Sequence, residues 1–207
     1  MKIVRIVPTG CTLFRFLLGP AFIMAYRRET PAWALLLIVA AAIVTDWLDG
    51  FLARRWDATS TAGKLLDPFA DALFCMIVFF VVWRSHLDVL PAWLFALLVA
   101  RETLVTFVLR PVALFNRVVI AASVPGKMKT VTQFTVICLF IAMQTEFAAG
   151  AQWLPTLVSA GFYVVAALSL FSAGIYIRRT VAALRAPEPG AECSDGHRAG
   201  GEKSESS

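Results

Sequence analysis

Charge is scarce in this chain: Asp, Glu, Lys and Arg make up 16% of its 207 residues, against about 25% in an ordinary soluble domain. Hydrophobic residues make up 59% and mean hydropathy is +0.74, so a soluble globular domain is excluded and a polytopic membrane protein expected. Histidine is nearly absent: His86 falls in a short polar break and His197 near the C-terminus, and both read as solvated loop residues without a general-base or metal role. The four cysteines, Cys11, Cys75, Cys138 and Cys193, have no close pairing and three lie in apolar runs, which excludes a disulfide framework and a zinc site. A cleavable secretory signal is not expected, since Arg15 interrupts the first apolar stretch, no small-residue cleavage pattern follows, and further spans come at once.

What is there is a series of apolar runs. Crossing a hydrocarbon core of about 30 Å takes about 20 helical residues, and six runs qualify: 9–26, 32–53, 65–83, 90–109, 127–145 and 152–177. The breaks carry charge or turn signals, such as Arg27 to Pro31, Arg54 to Lys64, Arg84 to Asp88 and Arg110-Pro111 through Gly126. The expected fold is an all-α integral membrane bundle of about six transmembrane helices with both termini on one side. One side would hold Lys2, Arg5, Arg54, Arg55, Lys64, Arg110, Arg117, Lys127, Arg178, Arg179 and Arg185, and the other only Arg27, Arg28 and Arg84. By the positive-inside bias both termini are cytoplasmic. Residues 1–185 form the membrane domain, and 186–207, rich in Pro, Gly, Ser and Glu, form a polar tail expected to be disordered. Topology accounts for the basic residues, and nucleic acid is not an expected partner.

Against this apolar background four carboxylates stand out, Asp46, Asp49, Asp67 and Asp71, in the pattern D-x-x-D-G-x-x-A-R-x8-G-x-x-x-D-x-x-x-D. A carboxylate at mid-bilayer costs roughly 3 kcal/mol on insertion scales, so four of them call for a compensating partner. Residues 46, 49, 50 and 53 fall on one helical face, joining two carboxylates to Gly50 and Ala53, with the larger Trp47, Leu48, Phe51 and Leu52 facing lipid. Gly50 weakens a helix and suits a position where another group approaches the backbone closely. The next helix is expected to begin near Lys64, with Pro68 in its first turn and Asp67 and Asp71 on one face. Two antiparallel helices joined by a loop of about ten residues can bring the four aspartates together. An all-oxygen donor set favours Mg²⁺ or Mn²⁺ over zinc or copper, and Mg²⁺ commonly shares carboxylates with substrate phosphates.

Residues 46–71 match every fixed position of the CDP-alcohol phosphotransferase signature, and the chain resembles that family of integral membrane enzymes across about residues 1–185. The resemblance implies transfer of the phosphatidyl group from CDP-diacylglycerol to an alcohol with release of CMP. It implies one or two Mg²⁺ or Mn²⁺ ions on Asp46, Asp49, Asp67 and Asp71, with Asp71 also the general base for in-line attack. Gly50, Ala53, Arg54 and Gly63 carry over as nucleotide contacts. A homodimer in the bacterial cytoplasmic (inner) membrane, with its active site at the cytoplasmic face and membrane lipids around it, is implied as well.

The acceptor is read from basic residues. Arg101 lies within the fourth span, Arg110 near its end, and Lys127 and Lys129 open the fifth. Such a pocket suits an acceptor carrying its own phosphate, and glycerol 3-phosphate is the expected one. The branch of the family using that acceptor is also suggested by Pro8-Thr9, Thr12 to Arg15, Arg101-Glu102 and Gly126 to Thr130, although it commonly has Asn where Ile6-Val7 stands and Lys where Ala72 stands. The rival acceptor is phosphatidylglycerol, as in cardiolipin synthase. Blander readings compete: Lys127, Lys129 and Arg117 as topology determinants, Arg101-Glu102 as a structural pair, Arg54 and Arg55 as anchors, and Trp83, Trp93 and Trp153 as interfacial aromatics. Outside the family, a cation transporter would explain intramembrane aspartates but not their combination with Gly50, Ala53, Arg54 and Gly63.

Overall fold

The computed structural model describes residues 3–56, 61–115, 124–145 and 150–185, with side chains described for 13–48, 66, 68–115, 124–145 and 150–182. Among these residues there is no strand. Six helical rods follow one another: α1 (Ile3–Arg27), α2 (Ala32–Trp56), α3 (Thr61–Ser85), α4 (Ala92–Phe115), α5 (Val124–Met143) and α6 (Leu154–Arg185). The chain is an all-α membrane protein. Among the described residues α3, α4 and α6 contain stretches long and apolar enough to cross a bilayer, and α2 contributes the shorter apolar stretch Ala32–Leu48. Leu17, Trp33, Leu37, Trp47 and Phe171 are all more than half exposed, a surface that suits hydrocarbon and would be a liability in water.

The helices run past the apolar windows because helical hydrogen bonding does not stop where hydrocarbon does. α2 continues through Arg54 and Arg55, and α3 starts at Thr61, so the expected ten-residue connection shrinks to residues 57–60, outside the described residues. Pro68 is therefore in the interior of α3 and not in its first turn. It has no N–H to offer the carbonyl of Lys64, which weakens the ladder midway between the levels of Gly63 and Asp71.

α4 corrects a second boundary. The expected break at Arg110-Pro111 is absent, because Leu104–Leu109 widens into a π-helical segment before α-helix resumes over Arg110–Phe115. The N–H of Arg110 reaches back to the carbonyl of Val105. A π-turn inserts one residue into the helix, and such bulges are frequent at functional sites. The tail, 186–207, lies outside the described residues.

Helices in a bilayer associate through packing, since lipid is as apolar as their side chains. α1 packs on α2 and α3, and α5 on α6, with α4 against α3 and α6. Phe22 meets Phe74 edge to face at 6.4 Å, and Phe79 meets Phe162 at 5.6 Å. Two glycines permit the closest approaches: a methyl on Gly19 would stand 2.5 Å from Ile77 Cδ1, and one on Gly161 2.5 Å from Val136 Cγ2.

Candidate active site

α2 and α3 run antiparallel from their connection, so Asp46, ten residues before the end of α2, and Asp71, ten after the start of α3, come level. α1 supplies what joins them. Arg15, 1% exposed, donates from Nη1 to Asp71 Oδ1 at 2.7 Å, and the same nitrogen lies 3.6 Å from Asp46 Oδ1. The carboxylates are not sealed in: the Asp46 side chain is 54% exposed and that of Asp71 36%. A buried cation thus holds two carboxylates whose remaining oxygens stay open to an incoming group. Asp49 lies one turn beyond Asp46 on α2, and Asp67 one turn before Asp71 on α3. Their side chains, with those at Gly50, Ala53, Arg54 and Gly63, lie outside the described residues.

Those open oxygens are hard donors of the kind Mg²⁺ and Mn²⁺ favour. Beside Arg15 the Asp46 side chain is 54% and that of Asp71 36% exposed, so the two offer oxygen donors to a divalent ion, although among the described residues no third such donor joins them.

A second polar cluster lies deeper. Glu102 Oε1 accepts from Arg101 Nη1 at 3.1 Å and from the ammonium of Lys129, while Arg101 Nε donates to the Ser169 carbonyl at 2.9 Å. All three charged side chains are buried. Cys75, one turn along α3 from Asp71, is buried. Of the basic residues singled out in the sequence, Arg101 and Lys129 are brought together on one carboxylate, with Arg110 and Lys127 exposed. Sequence reasoning did not assign Arg15 to the site, although a lone arginine in an apolar stretch is itself a functional signal.

A membrane-embedded helical bundle with solvent-open carboxylates around a buried arginine defines a class, the membrane enzymes that work through acidic groups on their helices. The chain matches the CDP-alcohol phosphatidyltransferase family over residues 5–175 and belongs to it. It is 34% identical over 172 residues, 80% of its own length and 90% of the relative's, to the CDP-diacylglycerol–glycerol-3-phosphate 3-phosphatidyltransferase of Shigella flexneri serotype 5b (strain 8401). The Escherichia coli (strain K12) protein of the same description matches to the same extent. The protein is accordingly a CDP-alcohol phosphatidyltransferase.

Proposed function

We propose that this enzyme transfers the phosphatidyl group of CDP-diacylglycerol to glycerol 3-phosphate and releases CMP. The observation that carries the reading is the convergence of Asp46 and Asp71 on Arg15 at one open end of the bundle. The relatives named for this reaction, matched over most of their length, supply the acceptor.

In this reading Asp71 accepts the proton of the acceptor hydroxyl as its oxygen attacks the phosphorus next to diacylglycerol. A new P–O bond forms to the acceptor, the bond to the CMP oxygen breaks, and CMP leaves. Arg15 orients Asp71 through one carboxylate oxygen, leaving the other for the proton. Asp46, Asp49, Asp67 and Asp71 would hold one or two Mg²⁺ or Mn²⁺ ions, which supply charge neutralisation for the pyrophosphate when bound. Gly50, Ala53 and Gly63 leave room for the nucleotide along α2 and α3, and Arg54 offers a charged donor to its phosphates. Arg110 and Lys127, both exposed, meet the acceptor phosphate, while Arg101 and Lys129 add positive potential from below. The active site faces the cytoplasm from the bacterial inner membrane, both termini lie on that side, residues 1–185 form the catalytic membrane domain, and the enzyme works as a homodimer.

The test is CMP release by purified protein in nanodiscs with CDP-diacylglycerol and Mg²⁺, acceptors being added singly and the lipid product weighed by mass spectrometry. Release with glycerol 3-phosphate, lost in Asp71→Asn, is the expected result. Release only with phosphatidylglycerol would replace the acceptor, and no release with any alcohol would overturn the reading. Arg110→Ala or Lys127→Ala is expected to raise the acceptor KM; an effect confined to nucleotide affinity would remove those residues from the acceptor site.

A further inference from the structure

At the opposite end of the bundle, where α1 turns into α2 and α3 ends, lies a cavity of about 780 Å³, within the roughly 300–1,000 Å³ of small-ligand sites. Arg84 is thirteen residues along α3 from Asp71, which at 1.5 Å per residue is about 20 Å, so the cavity is separate from the aspartate site. Its lining combines apolar Ile23, Leu35 and Phe80 with Arg27, Arg84, Glu29 and neutral polar side chains.

The placement of these arginines is informative. The connections at this end are nearly devoid of basic residues, holding Arg27, Arg28 and Arg84 alone, and two of the three line one cavity. Neither Arg27 nor Arg84 makes an ion pair with the described residues. A topological bias does not explain cations on the sparsely charged side. Depth is marked by Trp33, Trp93 and Trp153, each 58% exposed or more and each at the start of a helix at this same end. Exposed tryptophans in that position sit at headgroup level, which is where a lipid phosphate lies. Apolar side chains and two guanidinium groups lining one cavity match an acyl chain joined to a phosphodiester, and guanidinium is the side chain best suited to phosphate oxygens.

We propose that this cavity binds the phosphate headgroup of an anionic phospholipid, one per chain, at the membrane face opposite the catalytic aspartates. The site is independent of the acceptor assigned above. Native mass spectrometry of protein released from micelles containing phosphatidylglycerol tests it, because loss of a single bound lipid is resolved even when others occupy the aspartate end. Arg27→Gln/Arg84→Gln is expected to lower retention by one lipid at concentrations at least tenfold above those saturating the wild type, with CMP release and thermal stability unchanged. Ser85→Trp, which narrows the cavity and leaves both arginines in place, is expected to do the same. Substituting phosphatidylcholine should abolish the difference between wild type and variants. Competition by millimolar inorganic phosphate would identify free phosphate as the ligand source and keep the phosphate site; its absence identifies the lipid. Retention equal to wild type in both variants would overturn the proposal.

Discussion

The two charge clusters of this bundle solve the problem of intramembrane charge in opposite ways. At Glu102 the charges are closed on one another: Arg101 and Lys129 share one carboxylate, all three are buried, and the spare guanidinium N–H goes to a backbone carbonyl. At Asp71 the pairing is deliberately incomplete, with one buried arginine against two half-open carboxylates and two further aspartates one turn away on the same helices. Closed clusters of the first kind hold a structure in one arrangement. Open ones of the second kind leave excess negative charge for a ligand to neutralise. The difference suits the proposed chemistry to the Asp46–Asp71 level of α2 and α3 and structural support to the junction of α4, α5 and α6.

Breaking the open cluster should abolish activity and spare the fold. Asp71→Asn keeps the shape and a neutral hydrogen-bonding group but removes a carboxylate and the proposed base, and CMP release is expected to fall about 10³-fold or more, with a smaller loss of stability than at Glu102, since the buried Arg15 keeps the Asp46 carboxylate at 3.6 Å. Breaking the closed cluster should do the reverse. Glu102→Gln strands two buried cations, and removing one partner of a buried ionic group costs about 3–5 kcal/mol, readable by denaturant titration in mixed micelles. Arg101→Met/Glu102→Leu/Lys129→Met removes all three charges at similar volume and should regain most of that stability. If the triple variant is stable and its acceptor KM rises, the cluster also supplies potential to the acceptor; full stability for Glu102→Gln would sink the division between the clusters.

How much of this was legible in the sequence follows from the range of each interaction. The aspartate spacing maps onto helices by local periodicity, so the one-turn separations along α2 and α3 could be read directly, as could six helices from apolar runs. Arg15 with Asp71 and Lys129 with Glu102 lie 56 and 27 residues apart, and such contacts depend on which helices become neighbours, information no short spacing carries. The π-segment was hidden for a different reason. Pro111 signals a break, but a proline ring clashes with the carbonyl four residues back only in a regular α-turn, and the widened turn at Leu104–Leu109 relieves that clash. Pro68 was misplaced because hydropathy marks the edge of hydrocarbon, whereas α3 begins a turn outside it.

Smaller effects sharpen the comparison at the helix contacts. Gly161 faces Val136, a β-branched side chain with little rotamer freedom, and Gly161→Ala is expected to cost about 1–3 kcal/mol. Gly19 faces only the terminal methyl of Ile77, which can swing aside, so Gly19→Ala should cost less; equal losses would mean the two contacts are equally rigid. For Arg15→Lys, a shorter-reaching ammonium replaces a guanidinium whose Nη1 lies against both carboxylates. CMP release is expected to drop about tenfold, near 1.4 kcal/mol, without loss of stability, and wild-type rates would remove Arg15 from the site.

The smallest effect concerns the turn beside the distal cavity. α1 ends in a Schellman arrangement, with the Thr30 N–H bonded to the Ala25 carbonyl at 3.2 Å and the Glu29 N–H to that of Tyr26 at 3.1 Å. Glu29 occupies the left-handed position at φ 52°, where glycine is the usual residue because a Cβ is strained there. Glu29→Gly should therefore stabilise the protein by about 1 kcal/mol, while Glu29→Gln, which keeps the Cβ and discards the charge, should leave stability unchanged. Both variants remove a carboxylate from the lining of a cavity whose other charges are Arg27 and Arg84, so both should tighten its hold on an anionic lipid to the same degree. Stability that tracks the Cβ and lipid retention that tracks the charge would separate backbone strain from electrostatics at this one residue, and equal unfolding midpoints for the Gly and Gln variants would show that the strain argument is wrong.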